Sequence, residues 1–507
     1  MANTCLYYKQ QKYVSYNSGA TWQPLNEYRK GELYEADSLD CGYSVTYRWA
    51  LTSGYTCVER TKYQKTQKQV SFDGGDTWDN VSPAEYGLGG VIEYDSSDCH
   101  DYSNDYLTFV ALEDGTFTLK GSSVEYSLDS GLTWNTLARN TESPRVSRGN
   151  KIMWKTELVP PYAPWVTTYY FTSTNRFDVE GNIMSLVYSD NFRGQTSLSG
   201  KDYIFTSLFE ECTKLQNAKN LILPATTLSE RCYYEMFWGC TSLRTAPRLP
   251  ATTLTPLCYR YMFCGCTSLT SAPQLPATTL AEYCYEYMFA SCTSLTSAPQ
   301  LPATTLAEYC YKEMFAYCTS LTTAPQLSAT TLAKSCYSRM FQGCTSLTTA
   351  PSILPATTLA DDCYNGMFIG CTSLTTAPQL SATTLASGCC RGMFASCTSL
   401  TSAPELRATT LKYYCYGEMF SGCTSLTTAP QLPAKKTVLA CYISMFEGCT
   451  SLNSITCLAT DISANVCTLD WVKGVAANGT FTKASSMSSW PSGDGGIPNG
   501  WTVVNYS

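Results

Sequence analysis

Twenty-seven cysteines and a single histidine, His100, carry most of the reactive side chains in this 507-residue chain. A cysteine beside a histidine can form a nucleophile, and cysteines together can form a zinc site or a disulfide framework. His100 follows Cys99 in SSDCHDYS. A Cys-His nucleophile needs the two groups opposed in space with a third to orient them, so His100 is expected to be a solvated loop residue. Most other cysteines fall on two ladders. Cys232, Cys258, Cys284, Cys310, Cys336, Cys363, Cys389, Cys415 and Cys441 form the first; a second lies eight residues further on, from Cys240 to Cys449. With no Cys-x2-Cys knuckles and no histidine partners, the ladders are not read as zinc sites. A column of buried, reduced thiols acting as small hydrophobes is expected instead. Cys264 and Cys390 break the two-ladder rule and are expected off the core, as the first solenoid thiols to react.

A second group of polar and aromatic residues changes from turn to turn around the first ladder cysteine. Tyr234, Arg260, Tyr261, Tyr283, Tyr287, Tyr309, Lys312, Lys334, Arg339, Asp361, Asp362, Arg391, Tyr413 and Tyr414 would stack into one stripe of tyrosine and mixed charge. Tyrosine and arginine are favoured interface anchors, so these residues form a candidate ligand-binding stripe. Tyr233, Tyr259, Tyr285, Tyr311, Tyr337, Tyr364, Tyr416 and Tyr442 form a separate, nearly invariant column, read as an aromatic stack.

A third group is the octapeptide S-x-[D/N]-x-G-x-T-W, at Ser15–Trp22, Ser71–Trp78 and Ser127–Trp134. It resembles the Asp-box, a motif also found in sialidases. In such a box glycine permits positive φ, and Asp or Asn bonds its own turn. The arginine cluster, nucleophilic tyrosine and paired carboxylates of a glycosidase are not assembled by any spacing present. No catalytic, cofactor or metal site is therefore expected, and the protein is read as a non-enzyme.

The elements that must position these groups follow from the repeats. The ladder steps are 26 residues, with one of 27, and periods of 20–29 with regular leucines signal a leucine-rich solenoid. Cysteine, Met-Phe, cysteine and leucine (Cys284, Met288, Phe289, Cys292, Leu295, Leu306) should point inward. Cys284 to Phe289 is expected to form a short helix or 3₁₀ turn, and Leu295–Ala298 a ladder strand ended by proline. Phe315 is expected in the core and Lys312 exposed. Degenerate turns at both ends should cap the solenoid. The expected fold is mainly β: module 1 at 1–56, module 2 at 57–112, a β-sandwich-like region with the third box at 113–203, the solenoid at 204–466 and a C-terminal cap at 467–507.

The recurring F-x-x-C-T-S-L-x-x-x-P resembles the BspA-type leucine-rich repeat. That family occurs in surface adhesins of gut and oral bacteria and in proteins of phages infecting gut bacteria. The period of 26 and the Pro-x-Leu-Pro segment depart from the family pattern. The resemblance implies recognition of a host surface protein or glycan through the solenoid. It also implies attachment to other virion proteins through the N-terminal modules, as in a tail fibre.

Composition narrows the setting. Net charge is 34 − 41 = −7 with a pI of about 5.1, which argues against nucleic-acid binding. No apolar run approaches the roughly 18 residues of a membrane span. The start, MANTCLYYKQ, shows no export signal, so virion assembly in a host cytoplasm is expected. A bacterial surface adhesin is the alternative, and a carbohydrate-active enzyme the second. The repeated faces are also compatible with a homo-oligomer.

Overall fold

The computed structural model describes residues 101–161 and 169–506, together with strand backbones at 13–14, 23–24, 46–58, 61–71, 79–80 and 86–93. The reading of His100 and Cys99 lies outside the described residues. The chain divides into two compact units, Met1–Asp101 and Tyr102–Ser507.

In the first unit, β1 (Tyr13–Val14) pairs antiparallel with β2 (Gln23–Pro24), directly flanking the first box. β3 (Thr46–Val58) pairs with β4 (Thr61–Ser71), and β4 pairs in turn with β5 (Asp79–Asn80) and β6 (Tyr86–Glu93). The second box lies between β4 and β5. β3 crosses the 56/57 boundary of the sequence repeat, so the repeat unit and the strand-pairing unit differ.

The second unit begins at Tyr102, ahead of the boundary placed at 112. Its six-stranded sheet runs in the order β10 (Asn135–Leu137), β9 (Val124–Ser127), β11 (Lys151–Lys155), β7 (Leu107–Ala111), β13 (Phe177–Asn182), β14 (Leu215–Ile222). β8 (Phe117–Lys120) pairs separately with β12 (Tyr170–Ser173). β14 belongs to the first solenoid turn and pairs parallel with β13. Residues 113–203 are therefore not a module apart from the solenoid but are continuous with it. The reason is burial: a terminal turn exposes the apolar ends of its columns and needs a cover. Phe109, Trp154 and Phe171 are at most 1% exposed, and Phe109 and Phe171 meet Phe209 at 5.9 and 5.8 Å. Phe209 starts a column of stacked phenylalanines that runs through Phe237, Phe263, Phe289, Phe315, Phe341, Phe368, Phe394 and Phe420 to Phe446.

The expected helix is absent. Tyr283, Tyr287 and Ser291 have φ of 57°, 56° and 60°, and a left-handed residue at every fourth position cannot continue a right-handed helix. The backbone alternates two bonds instead. Cys284, Glu286, Met288 and Ala290 donate to the carbonyl three residues back, while Tyr283, Tyr285, Tyr287 and Phe289 donate to Glu308, Cys310, Lys312 and Met314 of the next turn. Each turn is thus a chain of overlapping tight turns whose alternate N–H groups staple it to its neighbour. The expected ladder strand reduces to single bridges such as Ser297↔Thr323, Leu301↔Leu327 and Thr305↔Thr331. Proline between them removes the donors a continuous strand needs. β15 (Ile353–Leu354) and β16 (Gln379–Leu380) pair where the one-residue insertion falls.

The second-ladder thiols explain their own residue type. Cys292, Cys318 and Cys344 donate to the carbonyls of Phe263, Phe289 and Phe315, each at 3.1 Å. A small apolar side chain with one weak donor suits that buried place. At the far end, β17 (Ser454–Cys457), β18 (Thr480–Ala484) and β19 (Thr502–Tyr506) pair in parallel. There Trp471 donates its indole N–H to the Gly496 carbonyl at 2.7 Å and stacks on Trp490 at 5.7 Å, closing the column beyond Phe446.

Candidate functional site

The left-handed positions place the stripe. The residue before the first ladder cysteine and the one three after it have positive φ in every turn from Tyr203 to Asp470. Non-glycine side chains held there cost of order 1–2 kcal/mol each, offset by the inter-turn bonds that surround them. Tyr261, Tyr283, Tyr287, Tyr309, Arg339, Asp362 and Tyr414 all occupy such places.

Five neighbouring turns are brought together most closely. Tyr283 stacks on Tyr309 at 4.6 Å and Tyr261 on Tyr287 at 4.7 Å, while Tyr234 meets Tyr261 edge-on at 6.0 Å. Arg260 lies over Tyr261 at 4.8 Å and near the rings of Tyr234 and Tyr283. Lys312 sits 5.5 Å from Tyr287 and 5.9 Å from Tyr309, and Lys334 lies 5.8 Å from Tyr309. A hydrogen bond to the Tyr309 hydroxyl holds the Lys334 ammonium above its ordinary pKa. Burial pushes the phenols of Tyr234 and Tyr287 up. Because the ring faces are taken by one another and by cations, a ligand would meet ring edges, hydroxyls and cationic heads.

The group that orders this cluster is Glu286, which the changing columns did not single out. It is 1% exposed. Arg260 approaches it at 2.5 Å without aligning as a hydrogen bond, and Lys312 donates to it at 3.0 Å. Burial works against the charge on Arg260, but Glu286 together with the Tyr261 and Tyr234 phenols outweighs it and holds the guanidinium above its ordinary value. A signal was present in the sequence: Arg260, Glu286 and Lys312 are 26 residues apart on one column, where opposite charges must meet across turns. Lys312 is therefore half-buried and paired, not exposed as expected.

The remaining stripe residues form smaller groups. Arg339 pairs with Glu313 at 3.9 Å. Asp361 accepts from the Ser387 backbone N–H at 2.9 Å, and Asp362 from the Asn365 amide at 3.0 Å. Arg391 pairs with Glu418 at 3.1 Å and covers Tyr414 at 4.4 Å; Tyr413 meets Tyr414 edge-on and is exposed. These groups continue the stripe: Glu313, the partner of Arg339, also accepts a hydrogen bond from the Tyr287 hydroxyl of the cluster, and Asp362 acts electrostatically on Lys334.

The thiols need one correction. Every described cysteine is free, but Cys390 is fully buried. It sits in the tyrosine column between Tyr364 and Tyr416, so it faces the core and does not lie off it. Cys264 alone among the described cysteines is half-buried rather than buried, with its thiol pushed up to about 11 by burial. Thiol labelling of the native protein should modify Cys264 first, faster as pH rises, and leave Cys390 untouched until unfolding. Mass spectrometry of the labelled peptides checks this, and early modification of Cys390 would refute it.

The third octapeptide closes the β9–β10 hairpin. Asp129 accepts from the Thr133 backbone N–H at 2.9 Å, the Thr133 hydroxyl at 2.6 Å and the Ser127 hydroxyl at 2.7 Å, and Gly131 has φ of 87°. These bonds, the Thr133 hydroxyl foremost, lower the Asp129 pKa to about 2. The ionised form is favoured on folding, so its stabilisation is present above about pH 4 and lost as pH falls toward 2. Amide exchange at Thr133 should rise over that interval, and no such rise should occur in Asp129→Asn.

Six repeats described as "BspA type Leucine rich repeat region" match residues 188–322, 233–375 and 282–427. A crystal structure of a leucine-rich repeat protein from Bacteroides ovatus ATCC 8483 is 16% identical, with a TM-score of 0.34, over 69% of this chain and 89% of that one. No curated protein matches the chain. From residue 188 to residue 427, the chain is thus similar to the BspA-type leucine-rich repeat that its recurring residues resemble.

Proposed function

We propose that the chain is a non-enzymatic recognition protein that binds a host-surface protein or glycan through its solenoid stripe. The observation that carries this reading is the continuous cluster from Tyr234 to Lys334, organised on a buried acid. Clustered tyrosine and cationic anchors over a pre-ordered network are what interfaces use. The finer reading is a tail-fibre or other receptor-recognition component on a phage particle, attached through the N-terminal β modules. Thiols that act as hydrogen-bond donors must stay reduced, which supports folding in a reducing compartment. A bacterial cell-surface adhesin would use the same stripe, and the BspA-type repeats favour it as the second reading. A carbohydrate-active enzyme built on the boxes draws no support from Asp129, whose carboxylate oxygens are both engaged by Ser127 and Thr133.

Two measurements test the reading. Mass spectrometry should find the protein in purified phage particles; recovery only in the outer-surface fraction of bacterial cells would select the adhesin. Cell binding by the full chain should fall at least tenfold in Tyr283→Ala/Tyr309→Ala/Lys334→Ala. Undiminished binding by that folded variant removes the stripe from the function.

A further inference from the structure

A second surface of the solenoid differs from the stripe in every respect. Successive turns carry a threonine pair shortly before the first ladder cysteine: Thr304–Thr305 in one turn, Thr330–Thr331 in the next. The pair recurs in eight successive turns, from Thr226–Thr227 to Thr409–Thr410, and both members are exposed throughout. Among the described residues these hydroxyls make no hydrogen bond within the chain. Another threonine row is different: Thr296, Thr348 and Thr401 turn their hydroxyls onto carbonyls of the preceding turn, at 3.4, 3.2 and 3.2 Å.

The backbone does not require threonine at the pair. In the following turn the equivalent residues are Lys435–Lys436, and Lys436 forms the same parallel bridge, to Asp461, that Thr305 forms to Thr331. Shared ancestry of the turns does not account for the identity either. In those same turns the column through Tyr234, Arg260, Glu286, Lys312, Ser338, Asn365 and Arg391 holds six residue types at seven positions. Exposed threonines that stay fixed while a neighbouring column changes are what a constraint from outside the chain would leave.

Charge narrows what that is. The segments 266–280, 292–306, 318–332, 344–359 and 371–385 contain no charged residue; along the axis charge returns in the same segment at Arg244 and Arg248 on one side and Glu405 and Arg407 on the other, and across it at Glu282, Glu308, Lys334 and Asp361, three residues past the pair. Five turns thus present an uncharged surface of hydroxyls, methyls, glutamine and proline. An ionic partner would meet counter-charge only at the edge of this surface, and there of both signs, Lys334 beside Glu282, Glu308 and Asp361. The rise per turn is about 4.8 Å, on the scale of one pyranose ring, so free hydroxyl pairs recur in step with the hydroxyls of an extended glycan. We infer that this threonine face binds a neutral, linear polysaccharide lying along the solenoid axis. This binding uses residues distinct from the tyrosine stripe and does not rest on its role.

The test is affinity electrophoresis of the full chain in gels containing hydroxyethyl cellulose, galactomannan or dextran, with alginate as the anionic control. Retardation is expected with at least one neutral polymer and not with alginate. Thr304→Lys/Thr305→Lys/Thr330→Lys/Thr331→Lys, patterned on the natural Lys435–Lys436, should keep the melting temperature and weaken retardation at least tenfold. The same four positions changed to valine remove the hydroxyls at constant shape and should weaken it similarly, which guards against loss of fold. Tyr309→Ala/Lys334→Ala should leave retardation unchanged. The inference is overturned if no neutral polymer retards the chain, or if the lysine and valine variants bind as the parent does. It is equally overturned if only the stripe variant loses binding, or if sedimentation shows that the threonine face joins two copies of the chain.

Discussion

Phe315→Ala destabilises the solenoid by about 3–5 kcal/mol, the range for removing a buried aromatic ring. Phe315 is fully buried and stacks on Phe289 at 5.6 Å and on Phe341 at 5.8 Å. Its carbonyl also accepts the Cys344 thiol. The ring therefore serves two neighbouring interfaces, and in a linear array each interface contributes its own share of stability. Collapse of neighbours into the gap is opposed by the inter-turn backbone bonds, which fix the spacing on either side. Thr304→Ala in the same turn removes an exposed side chain with no partner in the chain and should change stability by no more than about 0.5 kcal/mol. Denaturant titration, with amide exchange to localise the opening, separates the two. Equal losses at both sites would show that the phenylalanine column is not what holds successive turns together.

The columns were legible in the sequence because each turn sees only copies of itself. An apolar residue that recurs at a fixed period packs against its own repeats, and Cys284, Met288, Phe289, Cys292 and Leu295 are all fully buried. The local conformation was not legible. The spacing of Cys284, Met288 and Phe289 fits one face of a helix, yet the same spacing arises when every fourth residue is left-handed. A clue lay in the third left-handed column, where glycine stands at Gly239, Gly265, Gly343, Gly370, Gly422, Gly448 and Gly474. At the other two columns tyrosine, glutamate and arginine hide the requirement, although β-branched residues are absent until Val466. Cys390 was misplaced for a related reason. Its size differs from the tyrosines of its column, and size alone does not reveal that the column stays buried. The stripe was legible as changing residues, but Glu286 shows only when its column is read across turns at the 26-residue spacing, because a buried acid is defined by the charges of adjacent turns and not by its own neighbours in sequence.

Removing both cations from Glu286 should be far more damaging than removing Glu286 itself. Arg260 and Lys312 retain side-chain exposures of 25% and 27%, while Glu286 has 1%. If the carboxylate is lost, the two cations still reach water. If Arg260→Met and Lys312→Met are combined, the carboxylate stays in the interior with no counter-charge, a situation that costs about 3–5 kcal/mol. Glu286→Gln should therefore destabilise much less than the double variant. The triple variant Arg260→Met/Lys312→Met/Glu286→Gln should recover at least half of the double variant's loss, because no buried charge remains. This non-additivity follows from the three residues forming one network. It also separates stability from recognition: the triple variant keeps the packing of its turns but loses the cations that lie over Tyr261, Tyr283, Tyr287 and Tyr309. Thermal denaturation of the four proteins, compared with their binding to host cells, reads both effects. Should Glu286→Gln prove the most damaging change, the acid would be holding the turns together by contacts other than its two cations, and the electrostatic account of the cluster would fail.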